Sequence, residues 1–411
     1  MRRSSYSSYS TRSYSSGSYR RRNRRNDGNG KTVVIIILIC IIVLGAAAGA
    51  CAYFGVFDKL FGAKQESTDE SSSASEVQQS SEKKEESSAA AGSSSAQESE
   101  SSAEESSKPE LSGEFDENVF IYDKQGYQIF YGTEDTTASY ASAVSSIKKS
   151  VGKDVNVYAM SVPTHSLFAL PEKYKSLGTD EKAVLSSMYK SLGKDIKTID
   201  VAASLEKHKD EYIYFGTDHN WTALGAYYGY VDFCKAAGVE AIDIKKLSTG
   251  TIKGFEGSLT AATKTDKQPD GNKVLLENPD TVTYYNIPGN RTCTLLENGK
   301  SEPEEVPMIA TFAEGSNSYS AFIWGNNPYM HIKTTLKTGR KLCIIKDSYG
   351  CAFAPFTTAN FDEVYIVDPA YYNGNVIDYI KKNKYTDVLI INSIMTPSTA
   401  IRTDELKTII D

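Results

Sequence analysis

Asp218, His219 and Trp221 stand within four positions in the run YFGTDHNWTALGAYYGY, residues 214–230, of a 411-residue chain that contains only four histidines. An imidazole beside a carboxylate is the pair that makes a serine hydroxyl reactive. The neutral ring takes the hydroxyl proton, and the acid fixes the ring's tautomer and stabilises its charged form. A serine in a suitable setting lies further on: Ser348, in IIKDSYG, follows the apolar run from Leu342 to Ile345, and Gly350 gives a flexible turn before CAFAPF. Ser348 as nucleophile, His219 as base and Asp218 as orienter would supply the three roles of acyl transfer. Each also has a plainer reading. Asp218 suits the N-cap of a helix over 221–237, with His219 in its first turn. Ser348 suits a turn serine, and Trp221 suits core packing at the helix start, with stacking on a sugar ring as the functional alternative. Of the other histidines, His165 in VPTHSL follows a strand and is the substitute base to test, His331 reads as part of a strand, and His208 sits among charges. Asn326 in WGNNP is either a turn asparagine or an oxyanion-hole donor near Ser348.

Such groups need elements to hold them. The runs VFIYD (119–123), VNVYAMSV (155–162), EYIYFG (211–216), KLCIIKD (341–347), EVYIVD (363–368) and DVLIIN (387–392) are short, β-branched or aromatic, and mostly without alternation. That pattern predicts strands buried on both faces of a parallel sheet. Helical patterns over 180–192, about 200–208, 221–237 and 374–383 fall between them, so the expected fold is α/β with helices on both faces of the sheet. The stretch from about 241 to 320 breaks the rhythm and reads as an inserted cap. Ligands of open α/β sheets bind outside the carboxyl ends of the strands. Ser348 and the Asp218–His219 pair both follow expected strand ends and so fall on one rim.

The folded part is expected over 111–411. Before it, residues 1–31 form a basic, Ser- and Tyr-rich tail expected to be disordered, and 32–57 (TVVIIILICIIVLGAAAGACAYFGVF) carries no charge. That run is long enough for one transmembrane helix, longer than the apolar part of a signal peptide. Arg20, Arg21, Arg22, Arg24, Arg25 and Lys31 just before it place the amino terminus in the cytoplasm and the remainder outside. Residues 58–110 follow as a linker, whose part from 64 on is Ser-rich with 12 acids against 4 lysines, too polar to form a core. As a coil that part spans ~40 Å and tethers the domain. Cys234, Cys293, Cys343 and Cys351 fit no zinc spacing, no metal or cofactor is expected, and one disulfide stays open. With a net charge of −7, no Gly-rich phosphate loop and no basic face on the folded part, nucleotides and nucleic acid are excluded as partners.

The segment TDHNWTALGAYYGY resembles the signature of the DHHW family of membrane-anchored proteins of Gram-positive bacteria, named for Asp-His-His-Trp, and KDSYG…PF resembles that family's serine block. The likeness extends over FIYD, SVPTHSLFALPEKY, WGNNP and IVDPAYYN, covering most of 118–375. The family is similar in turn to the SGNH-hydrolase-like domains of alginate O-acetyltransferases. The resemblance implies an SGNH-like fold, Asp218 as orienter, Ser348 as nucleophile and acyl transfer as the reaction. One departure stands out: the position directly before Trp, where the catalytic base of the Asp-x-His-Trp form belongs, is Asn220.

The expected protein is a membrane-tethered, extracytoplasmic serine O-acyltransferase or esterase, acting on hydroxyls of a cell-surface glycan. A transferase would need a polytopic partner to export acyl groups, because one span cannot. The alternative is a non-catalytic glycan-binding or envelope-assembly protein on a degenerate site.

Overall fold

The computed structural model describes residues 112–410. The tail, the apolar run 32–57 and the linker to 110 lie outside the described residues. Among the described residues no helix is long and apolar enough to cross a membrane.

Strands β1 (Glu114–Asp116), β2 (Val119–Tyr122) and β3 (Gln125–Gln128) form a small antiparallel sheet. Then come β4 (Asn156–Val162), β5 (Ile196–Thr198), β6 (Thr249–Phe255), β7 (Asp280–Tyr285), β8 (Arg291–Leu296) and β9 (Glu304–Glu305). Last are β10 (Tyr329–Thr334), β11 (Lys341–Lys346), β12 (Glu363–Val367) and β13 (Asp387–Ser393). Strands β6 and β7 pair with each other, and a central sheet runs β5-β4-β13-β11-β12-β10-β8-β9.

The sheet is mixed, which corrects the expectation of a parallel one. From β5 to β12 neighbouring strands are parallel, whereas β10, β8 and β9 join antiparallel. The link 297–303 between β8 and β9 is too short for the crossover that parallel neighbours require. The presumed insertion therefore extends the sheet with β8 and β9, and only β6 and β7 form a separate ribbon.

Two expected strands are placed elsewhere. Residues 119–122 belong to the small sheet, because Asp123 and Lys124, at φ 45° and 64°, form a two-residue turn that returns the chain at once onto β3. Residues 211–216 make one bridge, Tyr214 to Trp221, and no sheet strand. The segment folds back on itself: Thr222 N–H donates to Ile213 O at 2.9 Å and Phe215 N–H to Asn220 O at 3.3 Å. Its apolar side chains are core residues all the same, with Ile213, Tyr214 and Phe215 buried.

The alternation hidden in the apolar runs appears in the core. Tyr158, Met160, Leu342, Ile344, Val364, Ile366, Leu389 and Ile391 face one layer. Their neighbours Val157, Ala159, Cys343, Ile345, Tyr365, Val367, Val388 and Ile390 face the other. Helices Ala223–Ala237 and Tyr349–Thr357 cover the first face, and helices Glu134–Val151, Glu181–Ser191 and Val376–Asn383 the second. Both faces are thus covered, as continuous apolar strands require. Thr222, not Asp218, caps helix Ala223–Ala237, its hydroxyl accepting from Gly225 N–H at 3.3 Å. Gly238 ends the helix at φ 69°.

Candidate active site

Ser348 stands where β11, a central strand, passes into helix Tyr349–Thr357. The turn is tight: a Cβ on Gly350 would lie 2.4 Å from Lys346 Cβ. Asp347 locks it from below, accepting from Tyr349 N–H at 2.9 Å, Ser393 N–H at 2.8 Å and the Thr396 hydroxyl at 2.9 Å. Burial raises the pKa of Asp347, and those hydrogen bonds only partly offset it. Tyr319 donates to Ser348 O at 2.9 Å. With the serine at a helix start, negative charge developing beside its Oγ would meet the positive end of the peptide dipoles.

The motif loop comes to this serine from the other side. The Asp280 carboxylate accepts from Gly216 N–H at 2.9 Å and Thr217 N–H at 2.6 Å. Opposite, Leu259 N–H donates to Thr217 O at 3.0 Å. Gly257 packs so closely that a Cβ there would fall 2.3 Å from Asp218 Cβ. Trp221 closes the joint between loop and serine helix, its indole N–H donating to Tyr349 O at 2.9 Å, while the Tyr349 hydroxyl donates to His219 O at 2.5 Å.

At the meeting point Ser348 Oγ lies 3.4 Å from His219 Nε2 and donates to Asn220 Oδ1 at 2.8 Å. The expected Asp218–His219 hydrogen bond is not made. Asp218 Oδ1 accepts from Asn220 N–H at 2.8 Å and Asn220 Nδ2 at 2.6 Å, and Oδ2 accepts from Ser258 N–H at 2.8 Å. Burial alone would raise the Asp218 pKa, but His219 and the hydrogen bonds from Ser258 and Asn220 outweigh it, so the carboxyl is held below its ordinary value. His219 Nδ1 instead meets Ser258 Oγ at 2.5 Å. Ser258 therefore stands between acid and imidazole, its backbone N–H on Asp218 Oδ2 and its hydroxyl on His219 Nδ1. In the tautomer whose Nδ1–H donates to the Ser258 oxygen, Nε2 is left free to accept a proton.

The remaining expected site residues are placed as follows. Trp221 is fully buried, so it is a core residue and no sugar can stack on it. His165 lies between the rings of Tyr127 and Tyr214, its Nδ1 buried without a hydrogen-bond partner and its pKa lowered to about 3 by burial. No hydrogen bond joins it to Ser348, so the structure does not make it a substitute base. Asn326 turns its carboxamide oxygen to Lys346 Nζ at 2.8 Å and Cys351 Sγ at 3.4 Å, not to Ser348. Sequence reasoning missed Ser258 and Asp280. Neither carries a local signal, since FEGSLT reads as a loop with a serine and ENPDTV as a turn before a strand.

The fold and site together define an α/β domain with a serine–histidine pair on the carboxyl rim of its sheet. The chain belongs to the DHHW protein family, which matches residues 68–367. It is similar to the crystal structure of a DHHW family protein from Eubacterium siraeum DSM 15702, with 32% identity over 73% of this chain and 98% of that chain, at a TM-score of 0.66. It shares its fold with Bacillus cereus PatB1, solved with a sulfonyl adduct (17% identity, 71% of this chain and 98% of that chain, TM-score 0.56) and without (17%, 71% and 99%, 0.57). No curated protein matches the chain.

Proposed function

We propose that the chain is a serine O-acyltransferase or esterase that moves acyl groups, acetyl in the first instance, to or from hydroxyls of a cell-surface polysaccharide. The observation that carries this is Ser348 Oγ set 3.4 Å from His219 Nε2. In the first half-reaction the Ser348 hydroxyl turns from Asn220 Oδ1 to His219, its proton passes to Nε2, and Oγ attacks the acyl carbon. The departing alkoxide recovers that proton, leaving acyl-Ser348. A sugar hydroxyl, or water, then loses its proton to His219 and attacks the ester, and Ser348 regains a proton from Nε2. Asp218 acts by fixing the Ser258 backbone, and the Ser258 hydroxyl holds the ring tautomer that keeps Nε2 unprotonated. In this reading the domain works outside the cell on the anchor at 32–57, and as a transferase it draws on a polytopic partner for acyl groups.

A sulfonyl electrophile tests the reading directly. Phenylmethylsulfonyl fluoride should add one sulfonyl group to the full-length chain by intact mass, and none to Ser348→Ala, and a chromogenic acetyl ester should be hydrolysed by the first protein only. Absence of both signals in the wild type would leave the second reading, a non-catalytic glycan-binding protein. That reading is favoured by one observation, the Ser348 proton directed at a carboxamide that cannot remove it.

A further inference from the structure

We infer that Phe312 and Trp324, the latter on a loop fastened to the residues flanking Ser348, form an acceptor platform that seats a pyranose ring of a neutral glycan; the inference rests on the glycan reading above. Phe312 is the most exposed large apolar side chain among the described residues, at 65%. It meets the half-buried ring of Trp324 edge to face, with centroids 5.1 Å apart at 69°. The backbone that presents Trp324 is strained: Ile323 and Trp324 lie at φ 47° and 66°, ahead of Gly325 at 77°. A β-branched residue there is an outlier, and such strain collects at ligand clamps and active sites. Its result is visible. Ile323 is turned into the core while the indole is turned out, pinned by its N–H on Pro307 O at 2.8 Å.

The loop is fastened to the nucleophile turn. Gly325 O accepts from Cys351 Sγ at 3.3 Å, and Asn326 Oδ1 from Lys346 Nζ at 2.8 Å, so the platform is tied to residues on both sides of Ser348. Tyr319, from the short helix that leads into the loop, holds Ser348 O itself.

The surroundings select the occupant. Trp324 shares a pocket with Glu297, Lys300 and Glu304, both glutamates paired to the lysine at 2.8 and 3.2 Å, while Asn326 beside it is exposed. A rigid aromatic face takes the axial C–H groups of a sugar, and the Lys300–glutamate cluster and the Asn326 amide N–H at its border take the hydroxyls. A lipid surface would desolvate those ion pairs at a cost and, if anionic, would meet the net negative charge of two glutamates on one lysine.

Tryptophan emission reads the site cleanly, because the chain has two tryptophans and Trp221 is fully buried. Cellotetraose and tetra-N-acetylchitotetraose titrated into the full-length chain should shift Trp324 emission with a saturable curve. Phe312→Ala, a surface change that spares the core, should weaken that binding at least tenfold and raise KM for an oligosaccharide acceptor far more than it lowers kcat. No saturable change with either sugar, or a change only with phosphatidylglycerol vesicles, overturns the platform. The two readings separate. Sulfonylation of Ser348 without a sugar titration rejects the platform alone, and a sugar titration without sulfonylation rejects the catalytic reading alone.

Discussion

The carboxamide of Asn220 spans Asp218 and Ser348, its Nδ2 donating to Asp218 Oδ1 at 2.6 Å while its Oδ1 accepts from Ser348 Oγ at 2.8 Å. It occupies the line between acid and nucleophile where an imidazole would be both oriented and in reach. Asn220→His should therefore speed sulfonylation of Ser348 about 10²-fold, the lower end of what a positioned general base contributes. A rate within twofold of wild type would show that His219 already fills the role.

His219→Ala should slow sulfonylation about 10²-fold or more, and Ser258→Ala about tenfold, because the second change frees the ring to adopt either tautomer without removing it. The double variant should be no slower than His219→Ala, as members of one relay are not additive. His165→Ala should leave the labelling rate unchanged. Second-order labelling rates of the wild type and the four variants decide it.

Glu181 gives the stability a pH slope. Burial raises its pKa from the ordinary 4.5 to about 7, against the opposing hydrogen bonds from Thr164. The folded state thus binds the proton more tightly than the unfolded one. The contribution is fully present below pH 4.5 and is lost as pH rises through about 7, so the slope of stability from this group is negative between them. The change amounts to about 3 kcal/mol at most. Urea melts of the wild type and Glu181→Gln between pH 5 and 8 should show this slope in the first protein and a shallower one in the second.

Gly257→Ala should lower stability by about 2–3 kcal/mol, because its new methyl meets the Asp218 Cβ and the loop must move. The loop carries His219 and Asn220, so labelling of the folded fraction should fall as well. Thermal melts and labelling below the melting temperature check both effects. Retained wild-type labelling in a destabilised variant would show that the 257–258 contact does not set the histidine's position.

Central strands were legible in the sequence because a strand buried on both faces must be apolar throughout, as LCII and VLII are. Segment 211–216 has the same composition and is no sheet strand. Apolar content reports burial, and the choice between sheet and hairpin was made by the backbone bonds Thr222 to Ile213 and Phe215 to Asn220, which fold the segment onto the residues that follow it. In the site, Ser348 and His219 were legible from residue type and motif, and they do meet. Ser258 was not, because its role comes from its hydroxyl and from a glycine at 257 that lets two loops touch, and spacing along the chain encodes neither. Trp221 was read from one residue as packing or stacking, and burial decided for packing.

The bond between Ser348 and Asn220 joins positions 128 apart, and the Tyr349 to His219 bond joins positions 130 apart. Contacts this distant in the chain form only after the intervening chain has been gathered, and they weigh on the slow side of folding. A nascent or partly folded chain accordingly carries an ordinary serine, with no imidazole beside it and no carboxamide holding its proton. On the proposed function, reactivity at Ser348 is then acquired only once the loop between those positions has closed, and an electrophile added during refolding would time that closure.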